Sequence, residues 1–173
     1  RVSHPENLRV LTGDEDGKPV VGKIHAVIGE QRIVLLPDGK LVARHRDRSP
    51  ETERPFTPAS AADVERKLKA VLGEGFTTTT TKNYVYAYNC SDRFAFGTRQ
   101  ILESMRPGVT SYVQKMRIET HAPHVPLVAI MFRTEAQFQR YRRMPAGVVA
   151  YYDTLTNHIV MFEESRLFRK APE

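Results

Sequence analysis

The sequence predicts an α+β protein in two parts. Residues 1–48 read as a small SH3-like β meander or barrel, 49–58 as a linker, and 59–173 as a helix-covered mixed sheet in the order α-β-α-β-α-β-β. Three observations carry this. Short β-branched runs joined by glycine turns fill the first part, a stretch dense in proline and charge follows, and the apolar residues thereafter switch between helical and strand-like spacing.

In the first part, residues 20–28 and 32–36 are apolar and β-branched, parted by Gly29-Glu30-Gln31, and Pro37-Asp38-Gly39 turns the chain into 40–44. A short meander cannot bury a face by itself, so closure into a barrel or docking on a second layer is expected. Prolines at 50, 55 and 58 then remove ladder donors and disfavour helix, which gives the linker. The run Arg44-His45-Arg46-Asp47-Arg48 can touch an anion, but a solvated loop accounts for it more simply.

In the second part, Ser60 with Asp63 forms a capping pattern, Val64, Leu68, Val71 and Leu72 follow at helical spacing, and Gly73 supplies the stop. Residues 76–89 carry a threonine run and then Tyr84-Val85-Tyr86-Ala87-Tyr88, which predicts one strand with the three tyrosines on a single face. Asn89 or Ser91 caps a long helix. Its Phe94, Ile101, Leu102, Met105, Val109, Tyr112, Val113 and Met116 fall on one stripe, and Pro107 predicts a kink or a split. The apolar run 127–132 predicts a central strand covered on both faces. Thr134 and Gln137 open a short helix bearing Phe138 and Tyr141, Pro145-Ala146-Gly147 closes it, and 148–152 with 158–162 make a hairpin.

With 173 residues, 40% hydrophobic and 27% charged, the chain has the composition of an ordinary globular protein, which excludes disorder for most of it. No apolar run approaches the roughly 20 residues that span a bilayer, so no membrane span is expected. The net charge of +6 is modest and leaves nucleic acid disfavoured as a partner. A lone cysteine, Cys90, excludes an internal disulfide and a cysteine-only zinc site.

The chemistry-bearing motifs are few. His121 and His124 are the closest histidine pair, yet nothing in a recognised spacing completes a tetrahedral set, so no metal site is assigned. No histidine is followed by glutamate, which removes H-E-x-x-H, and there is no G-x-S-x-G, Walker loop or G-x-G-x-x-G. No catalytic residue and no cofactor are therefore expected in this chain. Tyr84, Tyr86 and Tyr88, with Lys82, Arg140, Arg142 and Arg143, offer an alternative stacking face for nucleic acid or an anionic polymer; core packing of the rings is preferred. Cys90 beside Ser91 and Asp92 stands at a helix N-terminus, where the dipole can lower a thiol pKa, against the preferred reading of a half-buried structural cysteine. A further alternative is a structural or interaction domain whose contact surface is the front barrel.

The stretches Tyr84-Val85-Tyr86-Ala87-Tyr88-Asn89, Pro126-Leu127-Val128-Ala129-Ile130-Met131-Phe132, Gly147-Val148-Val149-Ala150-Tyr151-Tyr152-Asp153 and Asn157-His158-Ile159-Val160-Met161-Phe162 resemble a family of mostly planctomycete exported proteins. That family is catalogued as domain of unknown function 1570. Its order of strand, long helix, strand, short helix and hairpin is similar to the N-terminal lobe of the gluzincin zinc metallopeptidases, in which an H-E-x-x-H helix follows the hairpin. The resemblance covers residues 55–165. It implies the non-catalytic N-terminal part of an exported metallopeptidase-like protein, ending before the zinc helix. Zinc, a peptide or protein substrate and the export signal would then belong to a longer parent. By the same resemblance, Gly147, Val148, Val149, Ala150 and Tyr151 form the edge strand that accepts an extended peptide.

Overall fold

The computed structural model describes residues 2–3, 8–117 and 123–164. Contacts divide the chain into two units: residues 1–64 with 124–126 and 153–157, and the remainder. The fold is α+β, with three α-helices and two sheets.

The first unit is built on strands β1 (Val2–Ser3), β2 (Arg9–Gly13), β3 (Pro19–Ile28), β4 (Gln31–Leu35) and β5 (Leu41–His45). All ladders are antiparallel: β3 pairs with β2 over 19–23, with β4 over 23–28 and with β1 at 27–28. A bulge between Ile24 and Ala26 bends β3, so one strand can serve successive neighbours. At Gly22 an added Cβ would lie 2.2 Å from Val34 Cγ1, so glycine there permits β3 and β4 to approach around a core of Val10, Ile24, Val34 and Leu36. These four side chains are at most 3% exposed and pack together, with Val10 and Val34 on the buried side of the alternating strands β2 and β4.

Closure of this sheet comes from the segment expected to be a linker. After a single 3-10 turn, Arg46–Arg48, residue Glu51 bridges Val10, Leu11 N donates to Pro50 O at 2.9 Å, and Thr52 N donates to Arg9 O at 2.9 Å. Residues 50–52 thus act as a last, short strand beside β2. Arg32, 7% exposed, locks it: its guanidinium donates to Ser49 O and to Glu51 Oε1, the latter at 2.6 Å. A buried guanidinium is tolerated because those acceptors replace the water it loses. Proline at 50 fits here because the ladder uses its carbonyl as acceptor and asks for no donor.

The second unit carries most of α1 (Ala61–Leu72), then β6 (Thr77–Thr80), β7 (Tyr84–Tyr88), α2 (Asp92–Lys115), β8 (Leu127–Thr134), α3 (Glu135–Tyr141), β9 (Ala150–Asp153) and β10 (His158–Glu164). The sheet order is β6-β7-β8-β10-β9, with β7, β8 and β10 mutually parallel and β6 antiparallel to β7. The expected single strand over 76–89 is therefore corrected to a hairpin, and the element order gains one strand. Thr81 explains the fold-back: its N–H donates to Tyr84 O at 2.9 Å and its Oγ1 accepts from Tyr84 N at 3.2 Å, turning the chain between two β-prone runs.

Both capping patterns form. Ser60 and Asp63 exchange bonds at the start of α1, and Thr134 with Gln137 makes a full capping box on α3. Gly73, at φ 87°, takes the left-handed conformation just past α1, and its N–H donates to Lys69 O at 3.0 Å. Ser91 is the N-cap of α2 and accepts from Phe94 N at 3.2 Å. α2 runs unbroken through Pro107, so the predicted split does not occur.

β8 lies mid-sheet with residues 128–132 all buried, as its continuous apolar run predicts. On one face Tyr84, Tyr86, Ala129 and Met131 pack with Ala95, Phe94 and Leu102 of α2. On the other, Phe138 of α3 is fully buried, with its ring centroid 4.9 Å from that of Phe162 and 5.5 Å from that of Tyr151.

Candidate functional site

Parallel strands direct their carboxyl ends to one rim of the sheet, and the chain leaves that rim into helices, so side chains of several elements converge there. At this rim, the residues just after β7, the end of β8 and the end of β10 bring Cys90, Ser91, Arg133 and Glu163 around a cleft of about 410 Å³. Glu163 reaches the N-terminus of α2: its carboxylate accepts from Ser91 N at 2.7 Å and Ser91 Oγ at 2.5 Å. The helix end that would attract an external anion is thus occupied by the chain's own carboxylate. Asn89, the other predicted cap, instead ties β7 to β8: it donates from N to Met131 O at 3.1 Å and accepts Arg133 N on Oδ1 at 2.8 Å.

Cys90 is partly buried against the α2-covered core. Burial, and next the Glu163 carboxylate, push its thiol up to about 11, against any lowering by the helix dipole. A protonated thiol and a serine already bonded to a carboxylate make neither a nucleophile nor an acid–base pair. Arg133 and Glu163 complete the lining of this cleft.

At the opposite rim, by the turn between β6 and β7, Glu103 of α2 accepts from Thr81 Oγ1, from Asn83 Nδ2 at 2.9 Å and from Tyr86 OH at 3.5 Å. Arg106 donates to Asn83 Oδ1. Burial pulls the Glu103 carboxyl upward, but these donors and the Arg106 charge outweigh it and hold the group below its ordinary range. This cluster pins the middle of α2 to the sheet. No sequence pattern signals it, since its members are scattered over 81–106 and meet only in the fold.

The tyrosine row packs inward. Tyr84 is 7% and Tyr86 0% exposed beneath α2, and Tyr88 packs partly buried against the same cluster. A base has no access to these rings, and burial raises the pKa of both Tyr84 and Tyr86. Of the four cations expected beside them, Arg142 stands with its guanidinium 5.8 Å from the Tyr151 ring centre instead. The basic run at 44–48 is likewise structural in part: Arg44 donates to Thr12 Oγ1 at 3.0 Å and to Gly13 O at 3.2 Å.

The residues read as a peptide-accepting edge divide. Ala150 and Tyr151 lie in β9, the last strand of the sheet order, with β10 as its strand neighbour. Gly147, Val148 and Val149 precede the strand: Gly147 turns at φ 87°, Val148 N donates to Pro145 O at 3.3 Å, and Val149 O accepts Phe162 N at 3.4 Å. The strand begins after the turn because Gly147 holds a conformation that no extended strand uses.

Of the histidine pair, His121 lies outside the described residues. His124 sits within the first unit, its Nε2 3.0 Å from Lys23 Nζ and its ring edge-on to Phe56. Among the described residues no group of three or more His, Cys, Asp or Glu side chains could hold a metal ion. The zinc implied by the resemblance therefore finds no donor set in them, and no chemical step is derived through it. No helix among them is long and apolar enough to cross a membrane. No protein-family model, curated protein or solved structure matches this chain.

Proposed function

We propose that this chain is the non-catalytic N-terminal part of an exported zinc-metallopeptidase-like protein whose substrate is a peptide or protein. Zinc belongs, on this reading, to a later segment of the parent. One observation carries the proposal beyond the sequence resemblance: a mixed sheet whose parallel centre, β7-β8-β10, is flanked at one side by the short edge strand β9. Edge strands recognise extended peptides through backbone ladder bonds, with alternate side chains supplying selectivity. Ala150 and Tyr152 are exposed on that strand, while Tyr151 is held by its contact with Phe138.

Reading the parent coding sequence downstream of Glu173 tests the proposal directly. An H-E-x-x-H pattern on an amphipathic helix is expected, and a stop codon or an unrelated domain there would refute it. Zinc titration of the chain itself should show no stoichiometric binding; a tight one-to-one complex overturns the assignment of zinc to a later segment.

A further inference from the structure

The larger sheet has a second edge, β6, and its threonines carry none of the devices that blunt an exposed strand: no charge, no proline and no bulge. Thr81 N donates to Tyr84 O opposite it. By antiparallel alternation Thr79 and Thr77 then turn their backbone groups to β7, while Thr80 and Thr78 turn theirs outward. Among the described residues no hydrogen bond reaches the N–H or carbonyl of Thr78 or Thr80. Such a row is a template for one more strand.

The flanks of the row select what it fits. Glu74 stands as far before Thr78 as Lys82 stands after it. Both are exposed, and neither has an ion-pair or hydrogen-bond partner among the described residues. A strand that pairs antiparallel with its own copy, about a two-fold axis perpendicular to the sheet, keeps each face on its own side, so the axis must pass through a residue and not between two. Centring on Thr78 sets Thr78 against its equivalent and Thr80 against Phe76, engages the outward backbone groups in about six ladder bonds, and brings the Glu74 end of each chain beside the Lys82 end of the other. Thr77 then meets Thr79, a favourable cross-strand pair. The Thr78 hydroxyl keeps its bond to Glu65, and Lys69, 2.8 Å from the same carboxylate, balances the charge nearest the axis. Centring on Thr79 would set Lys82 against Phe76 and lose both ion pairs.

We propose that β6 pairs antiparallel with β6 of a second copy of this chain, centred on Thr78, and joins the two larger sheets into one. The contact is isologous and closes on itself, so assembly stops at the dimer. The ladder is short, so the dimer is weak and the flanking ion pairs set part of its affinity. This inference is independent of the peptidase reading and leaves β9 unused.

Sedimentation equilibrium of the whole chain tests it, with a concentration-dependent monomer–dimer equilibrium as the expected result. Thr78→Pro removes an outward N–H that the β6–β7 ladder does not use, and should weaken the dimer at least about tenfold with unchanged circular dichroism. Glu74→Lys and Lys82→Glu each place like charges together at both ends and should weaken it about fivefold. The two changes combined recreate pairs of opposite sign and should return the original affinity. On oxidation, Thr78→Cys should link to its own equivalent and Thr80→Cys should not, because only residue 78 meets itself across the axis. A chain that stays monomeric at about millimolar concentration overturns the proposal. So does a dimer indifferent to Thr78→Pro, one that the double charge swap fails to restore, preferential linking of Thr80→Cys, or growth beyond dimers.

Discussion

Residues 50–52 return to β2 and finish the ladder of the small front sheet, whereas the larger sheet ends on the short strand β9 and lets half of α2 run past its cover. The front unit satisfies its backbone by closing on itself, with Arg32 clamping the closing segment. The second unit relies on helices over a buried parallel centre, with β9 at one edge of its sheet and the second half of α2 exposed. Self-closure suits a small module with a thin core, whereas a larger sheet covered by helices buries its centre without closing its edges.

The comparison breaks most easily in the core of the second unit. Phe138→Ala removes a fully buried ring shared by α3, β9 and β10 and should cost about 3–5 kcal/mol in urea unfolding. A loss below about 1 kcal/mol would mean that the side-chain core does not hold this unit together. In the front unit the sensitive point is a glycine. Gly22→Ala forces a Cβ into Val34 and should cost about 1–3 kcal/mol, and adding Val34→Ala should restore part of that loss. Purely additive effects would place the strain elsewhere.

A smaller effect tests the attachment of α2. Because Glu103 titrates below its ordinary range in the fold, its ionised form stabilises the protein above the unfolded glutamate value of about 4.3, and this contribution is lost as pH falls through the folded value. Glu103→Gln should therefore cost about 0.5–1.5 kcal/mol in neutral solution and little in strong acid. A pH-independent difference would assign the effect to packing. The smallest change concerns the opposite rim. Glu163→Gln removes a charge that raises the Cys90 thiol, so alkylation of Cys90 should accelerate a few-fold in mildly alkaline solution, with burial still keeping it slow. An unchanged rate would leave burial as the sole cause.

Where local chemistry decided conformation, the sequence was legible. Ser60, Thr134 and Ser91 cap helices because a hydroxyl three residues before a free N–H needs no distant partner. The run 127–132 is a central strand because nothing in it tolerates water. The single stripe assigned to α2 was half right: Phe94 and Leu102 face the sheet, but Ile101, Met105, Val109, Tyr112 and Met116 share its helical spacing without meeting it. Periodicity names a face and leaves open how far the neighbouring layer extends beneath it.

The sequence by itself therefore determined the α+β class, the helix starts, the central strand and the absence of the searched catalytic motifs, since each depends on residues close together in the chain. The tertiary structure decided the return of 50–52 onto β2, the hairpin at Thr81, the Glu103 cluster, the burial of Tyr84 and Tyr86, and the overhang of α2. Apart from the Thr81 turn, those features depend on partners distant in the chain or on the relative lengths of elements, and no local preference encodes either.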